Sequence, residues 1–110
     1  MKVLLTGGSG YLGSILSRKL LENGHSVRIL DNFLFGTNSI KDIEKHKKLE
    51  IVNGDIRDLS IVSKSLKNID SVIHLASIVG TQSAELDPKT SIEINLMATK
   101  NIAELCKLYK

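Results

Sequence analysis

Residues 2–13, Lys-Val-Leu-Leu-Thr-Gly-Gly-Ser-Gly-Tyr-Leu-Gly, decide how the chain folds. An apolar strand over 3–5 runs into a glycine-rich turn. A helix then opens on Tyr11-Leu12, with Ile15, Leu16 and Leu20 on its inner face. Two glycine spacings overlap, Gly8-x-Gly10-x-x-Gly13 and Gly7-x-x-Gly10-x-x-Gly13. A strand–turn–helix needs glycine at the tight turn, where backbone amides approach a pyrophosphate, and where the helix packs on the strand. The helix start then offers unpaired N–H groups and a partial positive charge to phosphates. The bare pattern is weak evidence. Here a strand precedes it, a helix follows it, and Asp31 stands about 20 residues further on, which is the context of a dinucleotide site.

Further along, the first helix is expected over 11–21, stopping at Asn23-Gly24. A second strand over 26–30 ends on Asp31, which a βαβ unit places beside an adenosine ribose. A carboxylate there accepts hydrogen bonds from the 2′- and 3′-hydroxyls and repels a 2′-phosphate. Asn32-Phe33-Leu34 follow without an arginine, which favours NAD over NADP; a plain turn aspartate is the alternative. A loop over 32–38, a short helix over 39–46 and a third strand over 49–52 come next. Asp58 is placed to cap a helix over 59–66, whose Leu59, Val62 and Leu66 share one face. A fourth strand over 71–75 leads into Ala76-Ser77 and a loop over 78–86. Asp87-Pro88 then starts a long helix. Its apolar residues, Ile92, Ile94, Leu96, Met97, Ala98, Ile102, Leu105 and Leu108, cover more than one stripe, so the sheet and something else should bury it.

Near-continuously apolar strands alternating with helices predict the α/β class, a Rossmann-type doubly wound parallel sheet covered on both faces. Right-handed crossovers and a switch after the third strand give the order 3-2-1-4, with the ligand crevice at the carboxyl ends of strands one and four.

The 110 residues make one domain or part of one, and 42% hydrophobic with 25% charged residues is an ordinary globular composition. A net charge of +3, mild and scattered, argues for no nucleic-acid partner. The densest basic run, Lys45-His46-Lys47-Lys48, suits a solvated helix end. Cys106 is alone, which excludes an internal disulfide and fits a reducing compartment. The first apolar run is cut short by glycines, so no signal peptide is expected, and no stretch is long enough for a membrane span. The expected location is cytoplasmic. His25, His46 and His74 lack metal-ligand spacing, and His74 reads as a satisfied strand-end histidine.

Five segments carry a resemblance. They are Thr6-Gly7-Gly8-Ser9-Gly10-Tyr11-Leu12-Gly13, Asp31-Asn32, Gly54-Asp55-Ile56-Arg57-Asp58, His74-Leu75-Ala76-Ser77, and Pro88 with Asn95-Leu96-Met97-Ala98-Thr99. In this order the chain resembles the extended short-chain dehydrogenase/reductase family, in particular its NAD-dependent sugar-nucleotide epimerases and dehydratases. Ser77 stands where that family's His-Leu-Ala-Ala has alanine, and Ala98 where its Asn-Val-x-Gly-Thr has glycine. The resemblance implies NAD as cofactor, a nucleotide-sugar substrate and reversible hydride transfer at a sugar carbon. It also implies a cofactor site built from Gly7, Gly10, Tyr11, Leu12, Gly13, Asp31, Asn32, Asp55, Ile56, Leu75, Ala76, Ser77 and Asn95. Asp55 can accept from the adenine amine with Ile56 as an apolar flank, or be a simple turn aspartate. Small residues at Ala76 and Ser77 leave room for the nicotinamide-side ribose. Asn95, unfavourable in mid-helix, faces the cofactor by resemblance or is an exposed neutral position. Gly80-Thr81-Gln82-Ser83 border the substrate or form an ordinary loop.

The family's chemistry rests on a Ser/Thr and a Tyr-x-x-x-Lys pair that acts as general acid/base. Neither has a counterpart here: Tyr11 belongs to the glycine motif, and Tyr109-Lys110 has the wrong spacing. Residues 1–110 are therefore expected to be the N-terminal part of an NAD-binding Rossmann domain, incomplete relative to the family. The substrate domain and catalytic segment are absent, no catalytic residue is present, and the chain alone is expected to be inactive. Strand four would be an apolar edge without a neighbour. The expected partners are a nucleotide sugar, met through the missing C-terminal part, and a second copy met through the 88–108 helix. The alternative is a non-catalytic NAD-binding or interaction module completed by another chain.

Overall fold

A computed structural model describes residues 1–33, 36–76, 89 and 92–108. Four strands, β1 (Lys2–Thr6), β2 (Ser26–Asp31), β3 (Leu49–Asn53) and β4 (Ser71–His74), form one parallel sheet in the order β3-β2-β1-β4. Helix α1 (Tyr11–Glu22) connects β1 to β2, and α2 (Leu59–Ser65) connects β3 to β4. A final helix passes through a π-helical turn, Glu93–Ala98, into α3 (Thr99–Leu108). The expected strand order and class are those observed. β2 and β3 each run one residue beyond the expectation, and β4 stops at His74.

Successive strand residues point to opposite faces, and here both faces are covered. Leu4 and Leu30 pack with Ile56, Val62 and Ile102 on the side of α2 and α3. Leu5, Val27 and Ile29 pack with Leu21 of α1, Ile40 and Leu49 on the other. Each such side chain, fully buried, contributes about 1.5–3 kcal/mol. Two buried strand residues break the apolar pattern, Thr6 in β1 and Arg28 in β2. Arg28, nearly buried in β2, pairs with Glu50 at 2.9 Å and donates to the carbonyls of Ser65 and Lys67 at 2.6 and 2.8 Å. Its charge therefore meets a carboxylate and the open carbonyl end of α2.

Asp58 caps α2 as expected, accepting from the amides of Ser60 and Ile61. Four expectations need correction. No helix spans 39–46: a short 3-10 turn, Asn38–Ile40, leads into further turns with Ile43 N–H donating to Ile40 and His46 N–H to Ile43. Ile40, buried, and Ile43, partly buried, are the apolar anchors of this stretch, fewer than a longer helix needs to be held down. Leu59 opens α2 on the solvent side, leaving Val62 and Ser65 as its buried positions. Ile15 is exposed as well, because α1 faces the sheet with Gly13, Ser14, Ser17 and Leu21. Among the described residues of the last helix only Ala98 and Ile102 are buried, whereas Ile92, Leu96, Met97 and Leu108 are exposed. The sheet covers one stripe, and among the described residues nothing covers the rest. The expected Asp87-Pro88 start, the 78–86 loop, Leu34 and Tyr109-Lys110 lie outside the described residues.

Small residues let α1 approach the sheet. A Cβ on Gly13 would stand 2.2 Å from the carbonyl oxygen of Gly7. Gly7 itself has φ +74, and a Cβ there would lie 2.7 Å from the Ala76 nitrogen. Gly13→Ala should therefore push α1 off β1 and cost about 1–3 kcal/mol or more. At Gly10 an added Cβ meets only the Gly7 oxygen, at 3.3 Å, so Gly10→Ala should cost less than about 1 kcal/mol. Urea unfolding of the two variants measures the difference.

Candidate dinucleotide site

The turn after β1 is tied to the sheet by the Gly7 N–H donating to the Leu30 carbonyl at 3.0 Å, and is closed by the Gly10 N–H donating to Gly7 at 3.1 Å. Gly10 precedes α1 in extended backbone and provides no side-chain cap. Within the helix start, the Ser14 N–H reaches the Gly10 carbonyl at 2.9 Å. The amides of Tyr11, Leu12 and Gly13 consequently have no helical carbonyl to donate to. Gly10, Tyr11 and Leu12 are exposed. Uncapped amides beside Gly10, which has no side chain to block their approach, fit a pyrophosphate, with the helix dipole favouring its charge.

At the end of β2, Asp31 is held against this turn. Its Oδ2 accepts from the Ser9 amide at 3.1 Å and the Ser9 hydroxyl at 2.7 Å, and its Oδ1 from the Phe33 amide at 2.8 Å. A carboxylate has about four acceptor positions, so among the described residues Oδ1 keeps one for a hydroxyl donor. Phe33 takes a left-handed φ of 55, placing its amide on Asp31 while its ring packs on the core beside α1. Asn32, next to Asp31, is exposed. Three residues that the sequence reading missed complete this corner. The Ser39 hydroxyl donates to the Ser9 carbonyl, and Arg18 of α1 donates to the Ser39 carbonyl and grips Asp42. That grip holds the Asp42 carboxyl below its usual range. No local pattern announces these contacts.

Asp55, after β3, is engaged by Arg57 through the Arg57 amide at 2.9 Å and through its guanidinium. The guanidinium holds the Asp55 carboxyl below the usual aspartate range. Arg57 also reaches Glu93 in the π turn at 3.0 Å, tying this loop to the last helix. Ile56, expected as an apolar flank, is only 5% exposed and packs in the core. Its backbone alone is left to meet a ligand.

At the end of β4, Nδ1 of His74 lies 2.5 Å from the Thr6 hydroxyl oxygen and Nε2 lies 2.8 Å from that of Thr99. Burial pushes its pKa down. The ring is a satisfied strand-end histidine, as its position implies. The Leu75 and Ala76 amides lie 3.1 and 3.2 Å from the Thr6 hydroxyl oxygen, which keeps this turn beside Gly7. Asn95 is exposed within the π turn, a feature that recurs at functional sites. Ser77 and Gly80-Thr81-Gln82-Ser83 lie outside the described residues. The fold thus gathers Gly7, Gly10, Asp31, Leu75 and Ala76 at the carboxyl ends of β1, β2 and β4. Asp55 stands at the end of β3.

The sequence profile of the NAD dependent epimerase/dehydratase family matches residues 3–110. The chain belongs to this family. A Methanocaldococcus jannaschii protein named for UDP-glucose 4-epimerase activity is 38% identical over 97% of this chain and 34% of its own length. UDP-glucuronic acid decarboxylase 1 of Danio rerio is 31% identical over 96% of this chain and 24% of its own. The solved Thermus thermophilus UDP-glucose 4-epimerase, in complex with NAD, superposes with a TM-score of 0.85 at 31% identity, covering 99% of this chain and 34% of that one. This member of the epimerase/dehydratase family spans a third or less of the curated relatives' length. The matched third is shared by relatives named for different reactions.

A test of the Asp55–Arg57 pair follows from its sign. With its pKa depressed, Asp55 binds protons more weakly in the folded state. Its stabilisation is therefore present above the ordinary aspartate value of about 3.9 and lost as pH falls through the lower folded value. Arg57→Ala should move acid unfolding to higher pH, and should cost at most about 1 kcal/mol at neutral pH because the pair is partly exposed. Circular dichroism during acid titration reads both effects.

Proposed function

We propose that residues 1–110 are the N-terminal part of the NAD-binding Rossmann domain of a sugar-nucleotide epimerase or dehydratase. The observation that carries this reading is the uncapped start of α1 at the carboxyl end of β1, with Asp31 pinned beside it by Ser9. The amides of residues 11–13 bind the pyrophosphate. Asp31, with Asn32, receives the adenosine ribose and repels a 2′-phosphate, and the loop of Asp55 and Ile56 borders adenine. Leu75, Ala76, Ser77 and Asn95 line the nicotinamide side. When bound, NAD supplies the hydride acceptor and donor for a sugar carbon. The described groups of this chain bind and orient, and among the described residues none is placed to move a proton; on this reading the chain by itself is inactive and the general acid/base lies outside residues 1–110. The nucleotide sugar, whose identity is set outside these residues, is the small-molecule partner.

The exposed Ile92, Leu96 and Met97 on the last helix favour a homodimer formed through residues 88–108. The same surface, with β4 paired on one side only among the described residues, supports the second reading, an NAD-binding module completed by another chain. Among the described residues no helix is long and apolar enough to cross a membrane, and a lone free cysteine fits a reducing compartment. We place the protein in the cytoplasm.

Calorimetric titration of the protein with NAD and NADP tests the reading. NAD should bind at least about tenfold more tightly, the size of one lost or unpaired polar contact. Failure of the folded protein to bind either at millimolar concentration overturns the proposal, and preference for NADP overturns the role of Asp31. Gly10→Val should weaken NAD by a similar factor while leaving Tm nearly unchanged. Epimerase activity recovered by adding the C-terminal remainder of a relative in trans would favour the enzyme over the module.

A further inference from the structure

Polar contacts at the ends of β1 and β4 form one continuous chain. Thr6 Oγ1 lies 2.5 Å from His74 Nδ1, His74 Nε2 lies 2.8 Å from Thr99 Oγ1, and the Thr99 hydroxyl lies 3.1 Å from the Asn95 carbonyl. At the first end, Thr6 Oγ1 also accepts the Ala76 amide at 3.2 Å. It shares the Leu75 amide with the Thr6 carbonyl, at 3.1 and 3.0 Å.

The protons in this chain can be placed. A neutral imidazole has one donor and one acceptor, and a hydroxyl has one proton. The Asn95 carbonyl can only accept, so the Thr99 hydroxyl gives its proton there and accepts from the ring. Nε2 is then the donor and Nδ1 is bare. Nδ1 takes the Thr6 hydroxyl proton, which leaves both lone pairs of Thr6 Oγ1 for the amides of Leu75 and Ala76. The opposite tautomer turns the Thr99 proton away from Asn95 and leaves the Thr6 proton without an acceptor among the described residues. An imidazolium has the same fault at Thr6, because its Nδ1–H competes with the Ala76 amide for the oxygen.

We infer that His74, held as the neutral Nε2–H tautomer, is a positioning residue that orients the Thr6 hydroxyl, fastens the Leu75-Ala76 turn onto Gly7, and links that turn to Asn95 in the π turn. The inference rests on the NAD-site reading for its functional consequence, since it joins three segments assigned to the cofactor. Among the described residues the groups hydrogen-bonded to the ring, Thr6 from β1 and Thr99 from α3, are uncharged, and burial is what lowers its pKa. A depressed pKa means that the folded state resists protonation. The contact is therefore complete above the ordinary histidine value and is lost as pH falls through the lower folded one. The turn should loosen on that acid side.

Long-range 1H–15N correlation on the protein with 15N-labelled histidine, recorded without NAD, reads the tautomer directly; His74→Gln identifies the signal. A ring protonated at Nε2 and bare at Nδ1 at neutral pH is expected, and an Nδ1–H ring or an imidazolium overturns the inference. Thr99→Val should mix the tautomers, shift the amide resonances of Leu75 and Ala76, and weaken NAD about three- to tenfold, the range of one hydrogen bond. Thr99→Ser should preserve all three. Unchanged amide shifts and NAD affinity in Thr99→Val would overturn the positioning role. The expected tautomer and shifts in a protein that binds no NAD would uphold the hydrogen-bond chain and count against the cofactor reading alone.

Discussion

The contact of Gly13 with the carbonyl of Gly7 is the constraint on which the rest of the structure depends. With 2.2 Å between that oxygen and any Cβ at position 13, α1 is seated on the end of β1 rather than beside it. Ser14 and Ser17 extend the seat, both buried against the sheet. Ser17 returns its hydroxyl to the Gly13 carbonyl at 2.7 Å, so burying it leaves no orphaned polar atom. The helix start then has to lie at the carboxyl edge of the sheet, and a right-handed crossover has to bring β2 alongside β1. Asp31 reaches Ser9 as a consequence of that path.

Charge at this edge is held by contacts from different parts of the chain. Each carboxylate near the glycine turn is committed: Asp31 to Ser9 and Phe33, Asp42 to Arg18, and Asp55 to Arg57. Such contacts contribute modest stability when exposed, but they fix direction. An oriented carboxylate discriminates among ligands better than a mobile one, because less ordering remains to be done on binding. The guanidinium of Arg57 extends the same ordering to the last helix through Glu93. The hydroxyls of Thr6 and Thr99 do so through His74.

Much of the fold was legible in the residues. Apolar runs of the length of buried strands, the Asn23-Gly24 stop, the Asp58 cap and the glycine spacing are local features, and the parallel order 3-2-1-4 follows from them with chain handedness. Where the reading failed, the local pattern was ambiguous. Ile15 and Leu59 are apolar residues at plausible helical positions, but the close seat of α1 favours small residues, and Leu59 falls on the first, outward turn of α2. The stretch after Asn38 has helical propensity but only Ile40 and Ile43 to anchor it on the core, and it folds as short turns.

The site divides along the same line. By itself the sequence determined the class, the sheet order, the family and the positions of the glycine turn and Asp31, because each depends on residue type at short spacing. Only the tertiary structure decided which groups hold those positions in place. Ser9 meets Asp31 across 22 residues, Arg57 meets Glu93 across 36, and Thr6 meets His74 across 68. Ile56 likewise turned into the core because Leu4, Leu30 and Val62 converge there. Such contacts depend on where the strands bring distant residues together, and no periodicity along the chain encodes that distance.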